Sequence, residues 1–529
     1  MIKAYDNFII SAIENLPCNS EGLSALKKKL SKEFGLPIPT NANMREHYEQ
    51  LIAKRKIKRN ISFEKILLSR KIRTQSGVAV VAVLTKSYPC PGKCIFCPTE
   101  KDMPKSYLSN EPAVMRAISS QFDPYLQVQN RLRSLELNGH QTDKIELIVM
   151  GGTFSYLPKT YQEEFITECF RAANEYGKIK NKSVKLGNNL KIEQKKNERA
   201  KHRIVGLTLE TRPDYVDEKE IMNFRELGCT RVELGVQSIF NDILLKNKRG
   251  HLVEETIRAT KILKDAGFKI NYHMMPGLLG SSVAKDFKMF QELFSNQDFQ
   301  PDMLKIYPTV VVKNSNLYKV WKKGNYKPLS DKAFAKLVLK IKNEVIPPYV
   351  RIARLVRDVP ETSIEAGPKI SNLRQIIIPQ SKCPCIRCRE VKSAYEIGEE
   401  IILDRIDYAA SDGKEIFLQY VSRDKSKLFA LLRLRVASKN NAHNFIPALQ
   451  NSALIREVHT YGKLAQIDKK DKTSPQHIGL GKKLILEAEK ISRQEFGINK
   501  IAIISGIGVK GYYRKLGYKL KDTYMVKKI

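Results

Sequence analysis

The sequence predicts an α/β fold: a partial (β/α)6 barrel of the TIM type, a smaller C-terminal α/β domain, and a basic helical region in front. Three observations predict it. From Val78 onward, short apolar runs alternate with longer amphipathic stretches six times, and a strand that returns parallel to its predecessor needs a crossover long enough to hold a helix. The count stops at six, short of the eight units of a closed barrel, so the barrel is expected to be open. From about Glu399 a second strand-rich pattern begins, after an irregular stretch rich in cysteine.

Taken in order, residues 1–74 read as helical and basic. Leu23–Glu33 and Met44–Ile57 carry the helical pattern, Pro37 and Pro39 interrupt it, and the runs Lys27–Lys29 and Lys54–Arg59 supply charge for contact with RNA. Residues 75–345 form the barrel. Its strands are expected at Val78–Thr85, Ile145–Met150, Ile204–Leu209, Arg231–Val236, Lys269–Met275 and Met303–Tyr307, with helices such as Tyr161–Ala173, Glu218–Leu227 and Val253–Ala266 between them. Lys178–Arg203, rich in Lys and Asn, reads as a mobile, solvated surface insertion. Residues 346–395 read as a linker. Residues 396–529 form the second domain, with strands at Glu400–Tyr408, Glu415–Val421, Leu428–Val436, Ile455–Tyr461 and Lys500–Ser505, an amphipathic helix over His477–Gln494 and a short one near Lys510–Lys515.

Composition narrows the partners. The 529 residues carry 92 Lys and Arg against 56 Asp and Glu, a net charge of +36, which points to a polyanion and favours nucleic acid. Mean hydropathy is −0.35 and no apolar run reaches the length of a membrane span. Met1–Leu16 lacks the basic-then-apolar pattern of a secretory leader, so a cytoplasmic protein is expected. Six of the nine cysteines fall in two tight clusters, a pattern of metal ligands rather than disulfides.

The first cluster, Cys90, Cys94 and Cys97, has the spacing C-x3-C-x2-C in a loop that follows the first barrel strand. That is the mouth where parallel barrels place their active sites. Three thiolates hold three corners of a [4Fe-4S] cluster and leave one iron open, which S-adenosylmethionine can chelate. A structural zinc site is the rival, but zinc wants four protein ligands and no fourth lies close in sequence. Gly151, Gly152 and Thr153 end the second strand with bare backbone suited to the methionine part of that cofactor. Glu210 ends the third strand, and Gln237 and Ser238 end the fourth; polar strand ends are also ordinary at a sheet rim. The second cluster, Cys383, Cys385 and Cys388, reads as a zinc staple between domains, with a second iron–sulfur cluster as runner-up and the fourth ligand open.

Gln476–Gly481 reads Q-x-x-G-x-G at the start of a helix, the form of an acyl-CoA pyrophosphate loop, in which glycines let backbone N–H groups close on phosphates. A strand containing Glu457–Thr460 precedes it, and Tyr512 and Tyr513 follow after the next strand.

With these pieces in place the chain resembles the catalytic subunit of Elongator, in its free-standing bacterial or archaeal form. The resemblance rests on RTQSGVAVVAVLTKSYPCPGKCIFCP, EPAVMRA, IVMGGTF, LTLETRPDY, ELGVQS with a later RGH, YHMMPGLLGS, NLRQ, REVHTYG, QHIGLG and GYYRKLGY. It implies a radical-SAM barrel with a GNAT-like acetyl-CoA domain. It also implies a tRNA uridine-34 carboxymethyltransferase that acts on the anticodon stem-loop. In that reaction a 5′-deoxyadenosyl radical takes hydrogen from the acetyl methyl group, the carbon radical adds to C5 of the uracil, and the thioester is hydrolysed. By matching motif, Cys90, Cys94 and Cys97 hold the cluster, and Lys144 contacts acetyl-CoA. Glu457, Val458, His459 and Thr460 line the CoA arm, Leu480, Gly481 and Lys482 form the pyrophosphate loop, and Tyr513 lies near the acyl end; Lys144 and Tyr513 are the catalytic candidates. Eukaryotic members space the first two cysteines more widely and lack most of the second cluster, which marks the zinc site as structural. The resemblance leaves room for a homodimer or accessory subunits. The alternative function is a protein lysine acetyltransferase with a structural cluster, for which Glu457 is a candidate general base.

Overall fold

The structure, a computed structural model, describes residues 2–68, 77–177, 189–392, 398–438, 442–462 and 479–529. Residues 2–67 hold four helices, Ile2–Glu14, Ser20–Glu33, Asn41–Ala53 and Ile61–Ile66, around a small core of their own that includes Phe8, Leu30, Tyr48 and Phe63. Asn19, Thr40 and Asn60 cap the last three by accepting backbone N–H groups, which fixes where each begins.

The barrel is an open sheet of seven parallel strands in sequence order: β1 (Ala79–Leu84), β2 (Lys144–Met150), β3 (Arg203–Thr211), β4 (Arg231–Gln237), β5 (Lys269–Met274), β6 (Met303–Ile306) and β7 (Arg351–Arg354). Six were expected. The seventh, in the segment read as linker, has only Ile352 and Ala353 between arginines, so no apolar run announces it.

Most strands of a parallel sheet are apolar on both faces; several of these alternate. Ile145, Leu147 and Val149 of β2, Val232 and Leu234 of β4, Ile270 and Tyr272 of β5, and Leu304 of β6 join the hydrophobic core. Apart from Ile148, the residues that alternate with them are Glu146, Arg231, Glu233, Asn271, His273 and Lys305, and successive strand side chains point to opposite faces. The inner face of the barrel is therefore polar.

The second sheet has the order β13-β14-β12-β11-β10-β9-β8, with β8 (Ile401–Ala410), β9 (Gly413–Ser422), β10 (Leu428–Ala437), β11 (Ala453–Thr460), β12 (Lys500–Ile503), β13 (Lys519–Lys521) and β14 (Tyr524–Lys528). Only β11 and β12 pair in parallel. The sequence did not register the closing hairpin β13–β14, whose first strand is fully exposed. One hydrophobic core runs through both sheets. Where they meet, Arg456 bonds Asp302 at 3.0 Å and Glu415 at 2.8 Å, Arg435 bonds Asp265 at 2.9 Å, and Arg433 bonds Glu457 at 2.9 Å. Asp265 and Asp302 precede β5 and β6, so the second sheet packs against the N-terminal end of the barrel.

The insertion read as a solvated loop is corrected in its second half. Leu190–Asn197 is a helix with Leu190, Glu193 and Asn197 buried. Asn174 donates to the backbone of Glu193 at 2.9 Å, Asn197 donates to Asn174 at 2.8 Å, and the backbone N–H of Ile204 donates to Asn197 at 2.7 Å. The polar residues are buried and satisfied by one another, which composition alone reads as exposure. Residues 178–188 lie outside the described residues.

Candidate active site

A cavity of about 550 Å³ opens at the C-terminal ends of the parallel strands. Every strand of the barrel contributes to it. Cys90, Cys94 and Cys97 come from the loop after β1, Gly152 and Thr153 from the end of β2, Glu210 and Arg212 from β3, Gln237 from β4, His273 from β5, Lys305 from β6, and Arg354 and Arg357 from β7. The cysteine loop is pinned from behind. Ile95 donates to Asn247 at 3.1 Å and accepts from Leu317 at 2.7 Å, and its side chain packs with Val311 and Tyr326.

Two guanidinium groups attend the thiols. Arg249 donates to Cys94 Sγ at 3.3 Å. Arg212 is fixed by Asp214 at 2.9 and 2.7 Å, yet its Nη1 is buried without a partner among the described residues. A Cβ at Gly92 would run into that same Nη1, so the bare backbone lets the cation approach the loop. Burial pushes the Cys97 thiol up to about 11. Buried cations beside three thiols suit an anionic iron–sulfur group better than three protonated cysteines.

The strand ends make a cradle. Gly151 and Gly152 have φ of 142° and 94°, and a Cβ at Gly151 would collide with Thr85 Oγ1. Gln237 adopts φ of 69°, unusual outside glycine, and its buried Oε1 has no partner among the described residues. Thr153 Oγ1 lies 3.9 Å from Cys90 Sγ. Strain and an orphaned acceptor at one mouth fit a ligand that completes them. Glu210 is less free than the sequence implies: Tyr107 donates to it at 2.8 Å and Lys305 lies 3.5 Å away.

The family model described as Radical SAM superfamily matches residues 85–290, and the Radical_SAM C-terminal domain matches 301–381. The chain is 47% identical over 483 residues to the tRNA uridine(34) acetyltransferase of Methanocaldococcus infernus, covering 88% of each chain. It is 39% identical to Elongator complex protein 3 of Homo sapiens, covering 87% of this chain and 86% of that one. This chain belongs to the Elongator complex protein 3 family. The structure of the archaeal Methanocaldococcus infernus Elp3 with an N-terminal deletion superposes with a TM-score of 0.72 at 43% identity, covering 86% of this chain and all of that one. The radical-SAM half-barrel joined to a second mixed sheet, expected from the sequence, is the family's fold.

Within this member, the residues assigned to acetyl-CoA gather elsewhere. Gly479 starts the helix Leu480–Phe496 in the left-handed region, φ 80°. A Cβ at Gly481 would meet Tyr512 Oη at 3.5 Å, Thr460 Oγ1 at 3.6 Å and Val458 Cγ1 at 3.7 Å. The helix start, the end of β11 and the tyrosine pair therefore meet, although far apart in sequence. Tyr513 is buried against Tyr518, and Tyr512 is the tyrosine whose hydroxyl reaches the loop. Lys482 is exposed on the first turn, while Gln476, His477 and Ile478 lie outside the described residues.

Lys144 opens β2, about 20 Å along the strand from the cysteine end at 3.3 Å per residue. Burial lowers its pKa. Glu457 has one oxygen on Lys269 at 2.9 Å and the other on Arg433 at 2.9 Å. Burial works against its ionisation, but those two cations outweigh it and hold the carboxyl well below the usual range. A carboxylate so tied is a poor general base, which weakens the lysine acetyltransferase alternative.

Cys383, Cys385 and Cys388 bring their sulfurs within 4.8 Å of one another, and no fourth His, Cys or carboxylate joins them among the described residues. Lys342 Nζ lies 3.4 Å from Cys388 Sγ. The knuckle bridges the sheets: Ile386 donates to Val350, just before β7, at 2.9 Å, and Val391 donates to Leu428 of β10 at 3.1 Å.

Proposed function

We propose that the chain modifies uridine 34 of transfer RNA, joining a two-carbon unit from acetyl-CoA to C5 to give a 5-carboxymethyluridine-type product. The observation that carries this reading is a cation-flanked cysteine trio at one end of the barrel and an acyl-type strand, helix start and tyrosine pair at the other. Names of relatives at 47% identity support the wobble uridine. Cys90, Cys94 and Cys97 would hold a four-iron cluster, with Gly151, Gly152, Thr153, Glu210 and Gln237 around S-adenosylmethionine; when bound, the pair supplies a 5′-deoxyadenosyl radical. The chain's own work is to orient, to exclude water and to move protons. Glu457 to Thr460, Leu480, Gly481 and Lys482 would hold the CoA arm, with Lys144 and a tyrosine of the 512–513 pair nearby. Zinc on Cys383, Cys385 and Cys388 would staple the sheets.

Anaerobically reconstituted enzyme given reductant, S-adenosylmethionine, acetyl-CoA and tRNA should yield 5′-deoxyadenosine and a carboxymethyl nucleoside by mass spectrometry. Cys94→Ser should abolish both. The purified protein should carry zinc beside iron. An acetylated lysine on a protein substrate, with no requirement for S-adenosylmethionine, would replace this reading with the acetyltransferase one.

A further inference from the structure

Between the cysteine loop and the acyl strand stands a polar group that neither set of cofactor residues employs: His273, Glu233 and Lys305. They occupy the inner faces of three neighbouring strands, with Glu233 paired in register to Asn271 and His273 to Lys305. His273 Nε2 lies 2.8 Å from Glu233 Oε2. Glu233 is fixed by Asn271 at 3.0 Å, by Lys305, and by Arg231 at 3.7 Å. Burial disfavours its charge, but Lys305, His273 and Arg231 prevail and hold it well below the usual carboxylate range. An ionised carboxylate only accepts hydrogen bonds, so Nε2 carries the ring hydrogen. In the neutral ring that leaves Nδ1 as the acceptor, and the described residues offer it no hydrogen-bond partner.

Three carboxylates lining the cavity are committed, while Glu361 is exposed at its rim. Glu210 takes Tyr107 and Lys305, Glu111 takes Arg357 at 3.0 Å, and Asp358 takes Arg354. Burial disfavours the Lys305 ammonium, yet Glu233 holds it charged. His273 is the histidine among the cavity's lining residues. Glu210, Glu233 and His273 also bring three donor atoms within 4.8 Å of one another, but Lys305 already bonds both carboxylates, so a metal would have to displace an ammonium.

We propose that His273 is the general base that hydrolyses the thioester of the uridine adduct, with Glu233 as its positioning residue and Lys305 keeping Glu233 in place. This rests on the carboxymethyl reading above. Once the methylene carbon is bonded to uracil C5, the thioester carbonyl is one bond further on, so water must be activated beside the base in the barrel. His273 Nδ1 takes a proton from water as its oxygen bonds the carbonyl carbon. The C–S bond then breaks, and the proton passes from the imidazolium to the departing sulfur. The products are a carboxylic acid on the uridine and free CoA thiol, with no change of oxidation state. Glu233 lies beside the charge the ring acquires between the two transfers.

His273→Gln tests it, because the glutamine amide N–H can stand where Nε2 stood and still donate to Glu233. Expected are 5′-deoxyadenosine within about twofold of wild type, carboxymethyluridine and released CoA down at least about a hundredfold, the lower end of what general-base removal costs, and a uridine still bearing the CoA thioester in nuclease digests of the tRNA. Glu233→Gln should show the same split to a smaller degree. Wild-type ratios of acid to thioester in His273→Gln would overturn the proposal, and so would loss of 5′-deoxyadenosine in parallel with product, since His273 would then serve an earlier step. A wild-type enzyme that makes 5′-deoxyadenosine but no carboxymethyl product removes the functional reading and this inference with it. Independent of turnover and of the variants' folding, nitrogen NMR of histidine-labelled apoprotein should place the neutral ring's hydrogen on Nε2; finding it on Nδ1 would also overturn the assignment.

Discussion

Gly151 shows how one residue can carry both shape and chemistry. Its φ of 142° is open only to glycine, and a side chain there would strike Thr85. Gly151→Ala should therefore cost about 1–3 kcal/mol from backbone strain alone, read as a lower denaturation midpoint. Binding of S-adenosylmethionine, measured by calorimetry on the reconstituted protein, should fall with it. The cysteine trio, the glycine pair and the polar strand ends were legible in the sequence, because spacing and position after a strand carry the signal. Arg212, Arg249, His273 and Lys305 were not. Each is one basic residue in a chain with 92 Lys and Arg and 8 His, and only the fold shows which of them gather around the cavity.

At the scale of elements, six barrel strands were legible because apolar runs mark them. β7 was missed for want of such a run, and the helix Leu190–Asn197 because its buried side chains are polar. The alternation inside β2, β4 and β5 was written in the sequence, yet its meaning, a polar inner face, appears only when the strands are laid side by side. The loop after the third helix makes a further prediction. Lys54, Arg55 and Lys58 are exposed and form no ion pair with the described residues, whereas Lys56 is paired with Asp6 and Arg59 with Glu64. Replacing the three free cations by alanine should weaken tRNA binding. It should also lower the slope of log affinity against log salt by about 2 to 3, at roughly 0.7–0.9 per phosphate contact. An unchanged slope in filter binding would place the RNA elsewhere, for instance over Lys93, Lys248, Lys313 and Lys319, which line a second hollow behind the cysteine loop.

Across the whole molecule the two sheets are locked by charge as well as by apolar contact. Asp302, Glu415 and Glu457 are buried, which opposes their ionisation. Arg456 acts most strongly on the first two and Lys269 on the third, and with their neighbours these cations hold all three below the usual carboxylate range. A carboxyl held down in the folded chain takes up its proton at lower pH than in the unfolded chain. The stability it contributes is complete above about pH 5 and is lost as pH falls through about 4 and below. Acid titration followed by circular dichroism should show that loss. Arg456→Ala should cost about 3–5 kcal/mol by stranding Asp302 and Glu415, whereas Arg456→Ala combined with Asp302→Asn should recover part of it.

The continuous core has a consequence for how the chain can be handled. A cut within 393–397 would leave each piece with an oily face and stranded carboxylates or guanidinium groups, so neither half should be soluble alone. Co-expressed halves could still meet and fold as a nicked whole. The two sheets should thus fold and fail together, and neither can be borrowed as a portable module.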